Sequence, residues 1–250
     1  MKQIMIRADD LGYSQGINYG IERAVKHGII NNVGWMVNMD ASMHGYELLK
    51  DCDISWGLHT NICAGKPITD PKYIPSLVEK DGSFHPSKVY RQADHDIVNL
   101  EEALIEIEAQ LQRFIEWRGK APDYFEAHAV KSKTFDQAIQ MTAQKHGYLY
   151  QELSFDPHIP VQINGHTMYM TLKGSVPGYD PVYEFKHMVE NGHEDCINLL
   201  IYHPGYIDAY LMEHSSLVHC RPLETEASVV LKDYVQKNKV HLLSYKELAQ

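Results

Sequence analysis

Ile4-Met5-Ile6-Arg7-Ala8-Asp9-Asp10-Leu11-Gly12-Tyr13-Ser14 is an apolar run that stops at two adjacent carboxylates and a glycine turn. A run with so little polar alternation suits a strand covered on both faces, as the strands of a parallel sheet are. In open and barrel-shaped parallel sheets alike, ligands gather outside the carboxyl ends of the strands, so Asp9 and Asp10 stand where a site is usually built. A polar turn leading into a helix would account for this stretch equally well if it stood alone.

Downstream, strand and helix patterns alternate. Ser14 is placed to cap a helix whose apolar positions Ile17, Ile21, Ala24 and Val25 repeat at helical spacing, and Gly28 stops it. Strands are expected at 33–37, 54–58, 124–127, 196–202 and 240–243. Helices are expected at 41–50, from Asn99 to a stop at Gly119, at 135–146, 183–191 and 224–236, and after Ser244 at the end of the chain. This β-α alternation, with polar residues collecting at strand exits, is the pattern of right-handed parallel crossovers. The periodicity fails at 62–96, which Pro67, Pro71, Pro75, Gly82 and Pro86 punctuate, and again at 151–181. The second stretch holds a hairpin signal at Asn164-Gly165, the preferred pair for a type I′ turn. Irregular stretches this long usually bind something or move.

The 250 residues can bury the core of one barrel or of two small domains, and one domain is expected. A formal net charge of −10, without a Lys/Arg run, argues against nucleic acid as a partner. No stretch approaches the roughly 18 apolar residues of a membrane span, and Arg7 and Asp9 follow Lys2 too closely for a signal peptide. A cytoplasmic protein without membrane contact is expected. Cys52, Cys63, Cys196 and Cys220 are widely spread and include no C-x-x-C, so they read as reduced packing residues.

Four strands end in a residue able to bind metal or move a proton: Asp9/Asp10, His59, His128 and His203. Parallel strands bring such ends together. Two neutral imidazoles and one carboxylate form a common divalent-metal set with open positions, so Asp10, His59 and His128 are the expected ligands, and the second carboxylate is free to act as a base. Singly, His59 and His128 read as loop histidines bonded to backbone, and His203-Pro204-Gly205 as a turn. Gly57 is expected to let backbone pack closely near a ligand or, equally, to mark a bulge. The loop aromatics Tyr73, Phe84 and Tyr90 read as loop packing or as sugar-stacking residues.

Ala8-Asp9-Asp10-Leu11-Gly12, Gly57-Leu58-His59-Thr60-Asn61, His203-Pro204-Gly205-Tyr206 and the closing segment Leu242-Leu243-Ser244-Tyr245-Lys246-Glu247-Leu248 together resemble the YdjC-like carbohydrate deacetylases, the group that contains chitooligosaccharide deacetylase. The resemblance spans the whole chain, in order. It implies one α/β domain over 1–250, a distorted (β/α) barrel of parallel strands similar to the polysaccharide deacetylases, with paired termini and insertions at about 62–96 and 151–181. It further implies a divalent metal, Mg2+ or Zn2+, with Asp9 as base and Asp10 as ligand. One segment departs from the pattern: where many members carry Ser-His-x-His-x-His, this chain has Ala127-His128-Ala129-Val130-Lys131, which leaves His128 alone to ligate.

The activity so implied is hydrolysis of the acetamide of an N-acetylated sugar or oligosaccharide. His203 is the expected proton donor to the leaving amine, on the reasoning that a carboxylate stands beside it. Asn61, Arg221 and Tyr206 are expected to touch substrate, with Arg7 the alternative to Arg221 for orienting Asp9. A homodimer is the assembly allowed for. The rival readings are a barrel metallohydrolase acting on a cyclic amide or phosphate ester, against which the scarcity of basic residues at strand exits counts, and a carbohydrate-binding protein without turnover.

Overall fold

Side chains alternate along a strand, so Met5, Arg7 and Asp9 project to one side of the first strand and Ile4, Ile6 and Ala8 to the other; both sides are buried. In a computed structural model that describes residues 2–154 and 156–249, nine strands are present among the described residues. They are β1 (Gln3–Leu11), β2 (Asn32–Trp35), β3 (Ser55–Thr60), β4 (Tyr124–Ala127), β5 (Leu149–Tyr150), β6 (Val161–Ile163), β7 (His166–Thr171), β8 (Ile197–Tyr202) and β9 (Leu242–Leu243). The helices are α1 (Gln15–Lys26), α2 (Ser42–Leu49), α3 (Ser87–Gln92), α4 (Leu100–Arg118), α5 (Lys133–His146), α6 (Pro181–Asn191), α7 (Ala209–His214), α8 (Cys220–Lys237) and α9 (Tyr245–Leu248). No described helix is long and apolar enough to cross a membrane.

The sheet runs β5-β4-β3-β2-β1-β8-β7-β6, with β9 against the start of β1, and all its ladders are parallel except the β6–β7 hairpin. Alternation sorts the core into two. Met5, Tyr124, Met168, Met170, Leu199, Ile201 and Leu243 pack together inside the curled sheet, while Ile6, Ala8, Leu200 and Tyr202 pack outward with helix residues. The result is a nearly closed barrel clad in helices. Just after β5, Gln151 reaches across the barrel interior and bonds Met170 Sδ of β7, Arg7 and the Tyr245 hydroxyl.

The termini pair as expected, because β1 bonds β9 through Ile4 and Met5, and Asn32 fills the fork by bonding the Ile6 and Leu243 carbonyls and the Tyr245 N–H. Helix stops at Gly119 and Gly147 are left-handed C-caps. The 151–181 stretch is more regular than its sequence suggests: β7 joins the main sheet beside β8. The hairpin expected at Asn164-Gly165 forms as β6 against β7, with both turn residues at positive φ; what local pattern did not mark is that β7 also joins the main sheet. The 62–96 stretch holds a 3-10 turn at Pro71–Tyr73 and α3. Helix α8 starts at Cys220 rather than 224 because Pro222 is tolerated in a first turn.

Gly57 answers to a neighbouring side chain rather than to a ligand. It pairs with Tyr124 across the β3–β4 ladder, and a Cβ there would stand 2.2 Å from Tyr124 Cζ. The Tyr124 ring in turn stacks on Tyr245 with centroids 3.6 Å apart, filling the barrel floor. Gly57→Ala is therefore expected to cost about 3 kcal/mol in urea denaturation, and adding Tyr124→Leu should recover part of it. A double variant no more stable than Gly57→Ala alone would show that the added methyl meets something else.

Candidate active site

The two carboxylates face the same way because β1 breaks its own alternation. The β1–β2 register shifts between Ala8 and Leu11, and Asp10 sits at φ +76° in the left-handed region. Such a bulge adds one residue to the strand and re-aims a side chain, so Asp9 and Asp10 both line the cavity at the barrel mouth. Aspartate is among the few residues that tolerate this backbone.

His59, at the end of β3, and His128, just after β4, reach the same point. Asp10 Oδ1 lies 3.1 Å from His59 Nε2 and 3.0 Å from His128 Nδ1, and those two nitrogens are 2.9 Å apart. A carboxylate and a guanidinium stand behind this triangle. Glu126, opposite His59 in the β3–β4 ladder, approaches His59 Nδ1 to 2.5 Å, which places the proton on Nδ1 and turns the Nε2 lone pair toward Asp10 and His128. Arg221 Nη2 donates to Asp10 Oδ2 at 2.7 Å. Asp9 is held by both ends of a guanidinium, Arg7 Nε to Oδ1 at 2.6 Å and Nη2 to Oδ2 at 2.8 Å. Gly34 makes room: a Cβ there would meet Glu126 Oε1 at 2.7 Å.

The charges in this cluster call for more positive charge. Burial opposes ionisation of Asp10, but Arg221 and His128 outweigh it and hold the carboxyl well below its ordinary range. Asp9 is lowered in the same way, burial being outweighed by Arg7 and His59. The imidazoles move upward: burial works against His59, yet Glu126 and Asp9 raise it to about 10, and Cys63 and Asp10 raise His128 to about 9. An ionised carboxylate beside two imidazoles that draw in protons this strongly fits a divalent cation, which would take the place of those protons. Their spacing also fits, since ligands roughly 2 Å from one ion lie about 3 Å from each other.

His203 follows β8 and lines the same cavity, but not in the state expected. Among the described residues its side chain has no carboxylate hydrogen bond, and its buried Nδ1 has no partner. Burial, reinforced by Arg221, outweighs Asp10 and Asp9 and pushes it down to about 4, so the imidazole is neutral. Two expected substrate contacts lie elsewhere. Asn61 is fully buried and spends its amide on the loop, donating to Asn38 Oδ1 and the Ala64 carbonyl and accepting from Cys63 and Ala64 N–H. Tyr206 lies in a shallow outer groove with Tyr19 and Arg23. Arg221 lines the cavity floor, and Arg7, not Arg221, orients Asp9. Of the loop aromatics, Phe84 lines the cavity, Tyr90 is buried with its hydroxyl on the Ile62 carbonyl, and Tyr73 is exposed.

The family model described as YdjC-like protein matches residues 3–238. The chain belongs to the YdjC-like family. Carbohydrate deacetylase 2 of Listeria innocua is 28% identical to it over 98% of each chain. The chitooligosaccharide deacetylase of Yersinia enterocolitica is 25% identical over 98% of this chain and 99% of its own. Among solved structures, a protein of Enterococcus faecalis named for cellobiose-phosphate cleavage superposes with TM-score 0.84 at 22% identity, covering 100% of this chain and 99% of that one. A polysaccharide deacetylase from Bacillus cereus shares the fold more distantly, with TM-score 0.54 at 10% identity over 100% and 95% of the two chains.

Where this YdjC-like chain departs from the histidine-rich pattern, the backbone turns away from the site. Ala129 is at φ +51°, the Val130 N–H closes onto the His128 carbonyl at 2.6 Å, and Val130 is buried in the outer core. The departure alters packing behind the cavity and leaves His128 in place. Sequence reasoning missed Glu126, although a lone acid in an apolar strand, two residues before His128 and so on its face, was a usable signal. It also missed Tyr13 and Tyr210, which line the cavity with rings 5.5 Å apart. Glu126→Gln keeps an acceptor for His59 but removes charge, and is expected to weaken divalent-ion affinity at least tenfold in competition with a chelator. Unchanged affinity would reduce the Glu126–His59 bond to packing.

Proposed function

We propose that this chain is a carbohydrate deacetylase that hydrolyses the acetamide of an N-acetylated sugar or short oligosaccharide, chitooligosaccharides included. In this reading a divalent ion, Mg2+ or Zn2+, is held by Asp10, His59 and His128. The observation that carries it is the convergence of these three donor atoms within 3.1 Å of one another beside a second ionised carboxylate, Asp9. Names of the full-length relatives support the same chemistry. The cavity, about 1510 Å3, exceeds the roughly 300–1,000 Å3 usual for a small ligand and suits a chain of sugars.

A bound divalent ion would supply Lewis acidity, polarising the acetyl carbonyl and acidifying water. Asp9 accepts the proton of the attacking water. Arg7 occupies one lone pair on each Asp9 oxygen and leaves others free, so the carboxylate is both aimed and kept ionised. His203 delivers a proton to the leaving amine. Because its resting imidazole is neutral, that proton is taken up during turnover, from the water by way of Asp9. Arg221 keeps Asp10 ionised as a ligand. Tyr13 and Tyr210 offer ring faces to a sugar. Lys66, Lys88 and Arg91, on the wall made by 62–96, make no ion pair among the described residues and suit polar or anionic substituents at the substrate's periphery. Four cysteines free of disulfides fit a reducing, cytoplasmic setting.

Asp9→Asn is expected to retain the ion and lose turnover at least 100-fold, because an amide cannot accept the proton. Asp10→Asn should lose the ion and regain activity in excess metal. Elemental analysis paired with acetate release on chitobiose-type substrates tests both: a metal-free Asp9→Asn with a metal-loaded Asp10→Asn would reverse the roles. Full activity in both variants would remove the carboxylates from the chemistry.

A further inference from the structure

Glu224 is a fully buried carboxylate whose two oxygens are both committed. Oε2 accepts the backbone N–H of His203 at 2.5 Å, and Oε1 accepts the hydroxyl of Tyr179 at 2.8 Å. On the same face of α8, Thr225 Oγ1 accepts the Gly205 N–H at 2.9 Å, and Arg221 binds Asp10. The first turns of this helix thus grip both ends of the 203–205 segment and the metal-competent carboxylate. Two donors converge on Glu224, so an amide would turn its NH2 toward one of them. Burial pushes the carboxyl up to about 7, outweighing the hydrogen bonds from His203 and Tyr179 and the charge of Arg221.

Tyr179 arrives from the segment between β7 and α6, whose earlier residues Leu172, Gly174 and Ser175 line the cavity. That segment lies directly on the start of α8: a Cβ at Gly174 would stand 3.0 Å from Cys220 Sγ and 3.4 Å from Glu224 Oε1. Its far end is tied twice, by Tyr179 to Glu224 of α8, which holds the His203 N–H, and by the Tyr202 hydroxyl at the end of β8, which donates to the Pro181 carbonyl at 2.5 Å. One short stretch of chain therefore forms cavity wall at one end and bonds the frame of His203 at the other.

We propose that Glu224 and Tyr179 are positioning residues that couple the cavity wall at 172–181 to His203, so that seating a sugar against the wall and aligning His203 with the leaving amine are one event. This rests on the deacetylase reading with His203 as proton donor. The test is a double-mutant cycle on the full-length, metal-loaded protein, with acetate release from di-N-acetylchitobiose as the readout. Tyr179→Phe is expected to lower kcat about tenfold with KM within about twofold and metal content unchanged. In a His203→Ala background the same change should cost less than about twofold. Equal losses in both backgrounds, a change confined to KM, or no loss at all would overturn the coupling while leaving the deacetylase reading intact. His203→Ala turning over at the native rate would overturn both the coupling and the donor role beneath it. Glu224→Gln run through the same cycle gives the answer independently of Tyr179.

Discussion

Three carboxylates buried together at the mouth of a barrel are the constraint around which this structure is arranged. Asp9, Asp10 and Glu126 are each at most 4% exposed, and an isolated buried carboxylate costs several kcal/mol. Two guanidiniums answer three acids. Arg7 precedes Asp9 by two residues, so strand alternation puts it on the same inward face, which explains a fully buried arginine in an otherwise apolar strand. Arg221 comes from α8 to reach Asp10. The charge left over falls on His59 and His128, which is why this point in the molecule is suited to a cation.

The same constraint accounts for features that seem unrelated to charge. Gly34 leaves space for Glu126, Gly57 leaves space for Tyr124, and Tyr124 and Tyr245 close the floor beneath Arg7. Asp10 takes a left-handed backbone so that neighbouring acids can serve one cavity. Each is a local departure from ordinary strand chemistry, and all lie within or directly below the polar cluster. Apart from the antiparallel β6–β7 hairpin, the rest of the sheet keeps regular parallel ladders.

Much of this was legible from local pattern. Strand exits carrying Asp10, His59 and His128 could be read because parallel strands share a direction, and helix ends at Gly119 and Gly147 because glycine favours a left-handed cap. What escaped was set by tertiary partners. Asn61 and Tyr206 stood beside site residues in sequence, yet the chain turns after His59 and after Gly205 and sends one inward to a loop clamp and the other to the outer surface. The neutral state of His203 depends on its burial, reinforced by Arg221, 18 residues further on by number and adjacent only in space. The hairpin that holds β7 was marked by Asn164-Gly165, but its docking beside β8 was not, because only Met168 and Met170 of β7 are buried; Glu224 escaped because nothing in a helical pattern marks which acid lies under a strand exit.

Titrating divalent ions back into metal-stripped native protein while recording acetate release from di-N-acetylchitobiose tests the account most directly. It predicts no release from the stripped protein and full recovery at one ion per chain. Release at the native rate with no ion present, or recovery that requires no ligand from Asp10, His59 and His128, would contradict it.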